Sequence, residues 1–186
     1  VYFDIRKDAL YCDAPASLRR RACRTVLDLL FHRLTAWLAP VLVFTAEDVW
    51  LSRFPEDEGS IHLHDFPDTP QGWRDDALAA KWARLRTVRR VVTAALEVQR
   101  TAKVIGASLE AAPTGHIDAE DYVLCLGVDF DEICITSGLA LSPAPAPDGA
   151  FTLPEVEGVA VVPGRASGEK CVRCWQVLPE VGAEQD

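Results

Sequence analysis

Between residues 74 and 104 apolar side chains return every third or fourth position, with no proline or glycine to interrupt them. At about 100° per residue, Leu85, Val88, Val91, Val92, Ala95 and Ala102 fall on one side of a helix. Arg86, Arg89, Arg90, Thr93, Glu97 and Arg100 share a stripe about 100° wide on another. The spacing predicts one helix of ~45 Å with a packing face and a cationic face, stopped by Gly106. On that wheel both Arg89 and Arg90 belong to the polar side.

A long helix with one apolar face needs a partner to cover it. The segment after Ser17, a residue suited to N-capping, supplies a second periodic stretch: Ala22, Val26, Leu29, Leu30, Leu34, Trp37 and Leu38 recur at threes and fours until Pro40. Residues 1–12 have helical content without a start signal, and Asp13, Ala14 and Pro15 break them. Thr45, with Glu47 and Asp48 behind it, predicts a capped short helix reaching Arg53. Residues 55–72, rich in Pro, Gly and Asp, read as an extended loop in which only 61–66 alternate. Beyond Gly106 the period shortens: 107–112, 132–136 and 158–163 read as strands, 119–126 as a small helix and 142–149 (SPAPAPDG) as a linker or long turn. The expectation is a mainly α chain, a helix bundle over 1–104 followed by a small α+β part.

Charge divides at the same place. The chain of 186 residues has a net charge of −9, yet residues 1–106 carry sixteen basic and fourteen acidic side chains, and residues 107–186 three basic and fourteen acidic. The first part suits an anionic partner and the second does not. Between Lys81 and Lys103 seven basic residues stand against one acid, and Arg19, Arg20, Arg21 and Arg24 cluster upstream. Clustered Arg can grip phosphates in pairs of hydrogen bonds, although such runs also occur as simple solvated helix faces.

Six cysteines without a secretory leader do not imply disulfides: Cys12, Cys23, Cys125 and Cys134 stand singly among apolar residues. Cys171 and Cys174, in Cys-Val-Arg-Cys-Trp, have the spacing of two corners of a tetrahedral zinc site, with a redox pair as the competing reading. His62 and His64 alternate in SIHLHDF but lack a third ligand nearby, which favours surface or packing histidines. No Ser/His/Asp set, GxSxG or phosphate-cradling glycine loop is present. No apolar run approaches the ~18–20 residues of a membrane helix, so the expectation is a soluble, cytoplasmic protein, and one cut from a longer chain.

The run Leu38-Ala39-Pro40 and then Phe44-Thr45-Ala46-Glu47-Asp48-Val49-Trp50 resembles a block of the helical anticodon-binding domain in class I aminoacyl-tRNA synthetases. KDALYCD (7–13), RRACRTVL (20–27), SIHLHDFP (60–67), KVIGASLEA (103–111) and GEKCVRCW (168–175) narrow it: in this order they resemble the C-terminal third of the bacterial isoleucyl-tRNA synthetases. The resemblance implies a helical anticodon-binding domain at 1–104, an α+β junction domain at 105–167 and the start of a zinc-binding tail at 168–186. It implies tRNA as partner, with Arg86, Arg89, Arg90, Arg100, Lys103, Arg20 and Arg24 as candidate phosphate contacts, chosen by stripe and charge. Trp175 is the candidate for stacking on an anticodon base, and Cys171 and Cys174 are the metal candidates.

The family's HIGH-like and KMSKS-like signatures and its editing domain are absent. The fragment is therefore expected not to aminoacylate, its missing catalytic domain being both the user of ATP and a partner, within a monomer. A second CxxC is also missing, so zinc is expected in the full-length parent and absent or partial here, with residues 172–186 loose. Two alternatives stay open: a non-catalytic interaction module whose acidic half docks a protein, and the equivalent region of a valyl-type synthetase.

Overall fold

The computed structural model describes residues 2–55 and 59–183. Helices α1 (Tyr2–Ile5), α2 (Lys7–Tyr11), α3 (Leu18–Leu38), α4 (Val43–Arg53), α5 (Asp76–Thr101), α6 (Ala119–Cys125) and α7 (Phe130–Cys134) account for most of the regular structure. Strands β1 (Thr114–Ile117), β2 (Ala140–Ser142), β3 (Val159–Val162), β4 (Glu169–Lys170) and β5 (Val177–Leu178) all lie beyond α5. The chain is thus helical with a small sheet part. It forms two compact units, Arg6–Arg74 and a second made of Val1–Ile5 with Asp75–Asp186.

In the unit Arg6–Arg74, the Ser17 side chain caps α3 by accepting from the Arg20 amide. Ala36, Ala39, Ala46, Trp50 and Ile61 are buried, with Phe31 and Phe54 packed against them, and the Trp50 indole donates to the Gly59 carbonyl at 3.1 Å. The apolar stripe read from α3 is less covered than its spacing suggests: Val26, Leu34, Trp37 and Leu38 are exposed, and the buried residues of this helix are Cys23, Thr35 and Ala36. Helix α4 starts at Val43, two residues before the expected cap Thr45, and has no side-chain cap. Glu47 is engaged elsewhere, its carboxylate accepting from Ser60 Oγ at 2.8 Å and from the Ile61 amide at 3.0 Å. That clamp makes a 3₁₀ turn of Ile61–Leu63 where alternation predicted extended chain. The acidic residues 56–58 of the same loop lie outside the described residues.

In the other unit, Asp75 caps α5 through the Leu78 amide at 2.8 Å. Leu85, Val88, Val91, Val92, Ala95 and Leu96 then face one core with Ile105, Ile117, Phe130, Ile133, Val159 and Val161. The sheet runs β2-β1-β3. β1 lies parallel to β2, with Thr114 opposite Ala140, and antiparallel to β3, with Thr114 opposite Val162. Helices α6 and α7 make the crossover that a parallel pair requires. Asp118 caps α6 by accepting from the Asp121 amide at 2.8 Å.

Two of the three expected strands change identity. Residues 132–136 continue α7, whose Ile133 and Cys134 are buried and whose end is set by Ile135 in the left-handed region at φ 58°. A short apolar run serves a buried helix turn as well as a strand. Residues 107–112 contain the 3₁₀ turn Ser108–Glu110, where the Glu110 carboxylate accepts from the Gly106 amide at 3.0 Å. The third expectation holds, with β3 inside 158–163.

Candidate nucleic-acid interface

The cationic residues of α5 have different occupations. Arg86 and Arg90 are exposed. Arg89 is half-buried and donates from Nε to the Ile133 carbonyl at 2.7 Å. Arg84 forms a two-pronged pair with the buried Asp121, Nε to Oδ1 at 2.7 Å and Nη2 to Oδ2 at 2.5 Å. The carboxylate first of all raises the Arg84 guanidinium above its already high ordinary range. The stripe therefore mixes solvated charge with charge that joins elements of the fold.

At the C-terminal end of α5, Arg100 pairs with Glu97 at 2.7 Å, both side chains being at least half exposed. The Lys103 amide donates to Arg100 and the Val104 amide to Gln99, which closes the helix as a Schellman turn. Lys103 occupies the left-handed position at φ 57° that glycine normally takes, so the terminating residue is Lys103 rather than the expected Gly106, and the helix ends at Thr101. Arg100, Lys103, Glu97, Thr101, Ile105 and Gly106 line an open depression of about 450 Å³. Arg20 and Arg24 belong to the other unit. Arg20 donates to the Asp13 carbonyl at 2.9 Å, and Arg24 is exposed.

Cys171 and Cys174 sit in the turn of the β4–β5 hairpin. The Cys171 amide donates to the Gln176 carbonyl at 2.8 Å and the Trp175 amide to the Cys171 carbonyl at 3.0 Å. The Arg173 amide points at Cys171 Sγ from 3.4 Å. Backbone amides, Cys174 first and then Arg173, hold the Cys171 thiol below its ordinary pKa, which is the chemistry a metal-binding thiolate needs. The pair therefore fits two corners of a zinc site. Among the described residues no group of three or more His, Cys, Asp or Glu is placed to hold a metal. His62 instead meets the Val43 carbonyl at 3.1 Å, and the His64 ring lies 4.7 Å from that of Trp50. Burial pushes the Cys125 thiol up to about 11 and that of Cys134 to about 12.

Trp175 follows the second cysteine at φ 68°, with 63% of its surface exposed. Lys170 Nζ stands 5.5 Å from its ring centre, a contact that charge counting did not pick out although the lysine adjoins the CxxC. The chain matches the family model described as the anticodon-binding domain of tRNA ligase over residues 1–114. It belongs to the tRNA-ligase anticodon-binding family. The match includes all of α5 and its depression and ends before the CxxC hairpin.

Relatives of this anticodon-binding chain extend the likeness over its whole length. It is 63% identical over 182 residues to an isoleucine–tRNA ligase of Ruegeria pomeroyi, which covers 97% of the chain. It is 58% identical over 186 residues to one of Brucella abortus and 49% identical over 185 residues to one of Caulobacter vibrioides, covering 100% and 99% of the chain. In each case the chain spans 19% of the relative's length. No helix among the described residues is long and apolar enough to cross a membrane.

Proposed function

We propose that this chain is the part of a cytoplasmic isoleucine–tRNA ligase that grips the anticodon stem and loop, its helices forming a bundle of the class I synthetase anticodon-binding type. One observation carries the reading: the family match runs through α5 and the turn that closes it, where Arg86, Arg90 and Arg100 of the helix and Lys103 of the turn are exposed. Guanidinium and ammonium groups there meet backbone phosphates, and the exposed Trp175 ring offers a stacking face to a splayed base. ATP and the aminoacylation chemistry belong to the catalytic portion of the ligase, which is the second partner of this chain in a monomeric protein.

Titration of an isoleucine-tRNA anticodon stem-loop at several salt concentrations tests the reading. Binding should weaken steeply with salt, and a salt-independent or undetectable interaction at low ionic strength overturns it. Zinc enters as a structural ion of the full-length ligase, with Cys171 and Cys174 as two of its four ligands. The 186-residue chain alone should hold less than one equivalent by atomic absorption; a full equivalent means the ligand set is completed within the chain or between two copies.

A further inference from the structure

The hairpin bearing Cys171, Cys174 and Trp175 is reached through Gly168, at φ 112°, where a Cβ would stand 2.2 Å from the Leu178 carbonyl oxygen. Only glycine permits that approach of β4 to β5. The outer edge of the hairpin is held by a side chain far away in sequence. Ser137, between α7 and β2, accepts from the Val177 amide at 2.7 Å and donates its own hydroxyl hydrogen to the Leu109 carbonyl. Its amide is fixed in turn on the Ala111 carbonyl at 3.1 Å.

Leu109 belongs to the 3₁₀ turn Ser108–Glu110. Glu110 holds the Gly106 amide with its carboxylate and the Ala166 amide, at 2.8 Å, with its carbonyl. Gly106 lines the depression that contains Arg100 and Lys103. One hydroxyl, with one hydrogen and its lone pairs, therefore joins the turn beside the basic depression to the hairpin that displays Trp175. Within this unit the two candidate RNA contacts are connected through Ser137.

We infer that Ser137 is a positioning residue for RNA recognition: it locks the CxxC hairpin onto the 108–110 turn, so that Trp175 and the Arg100/Lys103 depression are presented in fixed register. The inference rests on the anticodon-binding reading above. Without Ser137 Oγ the Val177 amide and the Leu109 carbonyl lose their common partner, and the hairpin is free to swing about Gly168.

The test compares Ser137→Ala and Ser137→Thr in the whole chain by amide exchange at Val177, by the heteronuclear NOE of the Trp175 indole N–H and by affinity for the anticodon stem-loop. In Ser137→Ala, Val177 should exchange roughly tenfold faster, the Trp175 NOE should fall and affinity should drop roughly fivefold, the scale of one lost hydrogen bond. Ser137→Thr, which keeps the hydroxyl, should restore all three. Should Ser137→Ala not fold, Val177→Pro deletes the same bond from the hairpin side and should loosen Trp175 likewise. Unchanged exchange and NOE overturn the inference, as does a loosened hairpin with unaltered affinity. If the unmodified chain fails to bind the stem-loop, the RNA reading falls and the role in recognition falls with it, while the exchange and NOE arms still decide whether Ser137 anchors the hairpin.

Discussion

Arg89 Nε donates to the carbonyl oxygen of Ile133 at 2.7 Å, so this arginine ties α5 to α7, whereas its neighbour Arg90 is exposed to solvent. The helical wheel treats the two alike, and the fold separates them. Arg90→Glu should leave the melting temperature within about a degree and reduce stem-loop affinity, flattening the salt dependence by roughly one phosphate contact. Arg89→Glu should cost about 1–3 kcal/mol of stability, because a half-buried carbonyl loses its donor and gains a carboxylate beside it. Thermal unfolding and salt titration of the two single variants check this. Equal stability of both would remove the Ile133 contact from the account.

The Arg84–Asp121 pair predicts an asymmetry. The Asp121 side chain is 4% exposed and that of Arg84 34%. Arg84→Ala leaves a buried carboxylate without its partner and should cost about 3 kcal/mol, the low end for such pairs since Arg84 is partly solvated. Asp121→Ala leaves a guanidinium that can turn to water and should cost less. Denaturant unfolding of both variants measures the difference, and a larger loss for Asp121→Ala contradicts the reasoning.

Lys103 in the left-handed region predicts a trade between stability and binding. Lys103→Gly should raise stability by about 1 kcal/mol, the strain that a side chain adds at such a position, and should weaken the stem-loop complex by removing a cation from the depression. Both readouts are needed. A variant that gains stability and keeps full affinity shows that Lys103 only ends the helix.

Cys171 should react with iodoacetamide before Cys125 and Cys134. Its pKa is lowered, so its thiolate appears at lower pH than in an ordinary thiol near 8.5, while Cys125 and Cys134, pushed to about 11 and 12, stay protonated through pH 9. Mass-spectrometric labelling between pH 6 and 9 should place the midpoint for Cys171 below that of free cysteine. Earlier labelling of Cys125 or Cys134 would contradict the geometry of the turn.

What was legible in the sequence was local. The apolar face of α5 from Leu85 to Ala95, the Ser17 cap and the CxxC turn each follow from spacing within a few residues, and each is found as read. The errors share a cause. The run Glu132-Ile133-Cys134-Ile135-Thr136 has strand composition, but the core beneath it takes a helical turn that Ile135 closes. Strand β2 is only three residues long and is defined by its partner β1 rather than by its own pattern. Lys103 takes a position where a glycine is the usual signal, so the eye goes to Gly106. At the candidate site, charge counting found the arginines but could not separate Arg89 from Arg90, because the acceptor comes from 44 residues away.

The first turn of helix belongs with Asp75–Asp186, where Ile5 packs on the core and α1 meets α7, while everything between completes a unit of its own. On the ribosome this has a consequence for timing. Residues 6–74 form a compact unit of their own, whose internal contacts can close once Arg74 emerges. Ile5, made before them, must wait until Phe130–Cys134 arrive, which at ~5–20 residues per second is on the order of ten seconds. Synthesis order and packing order thus differ for this segment: Ile5 is made before residues 6–74, yet the core that receives it is completed only when α7 has been made.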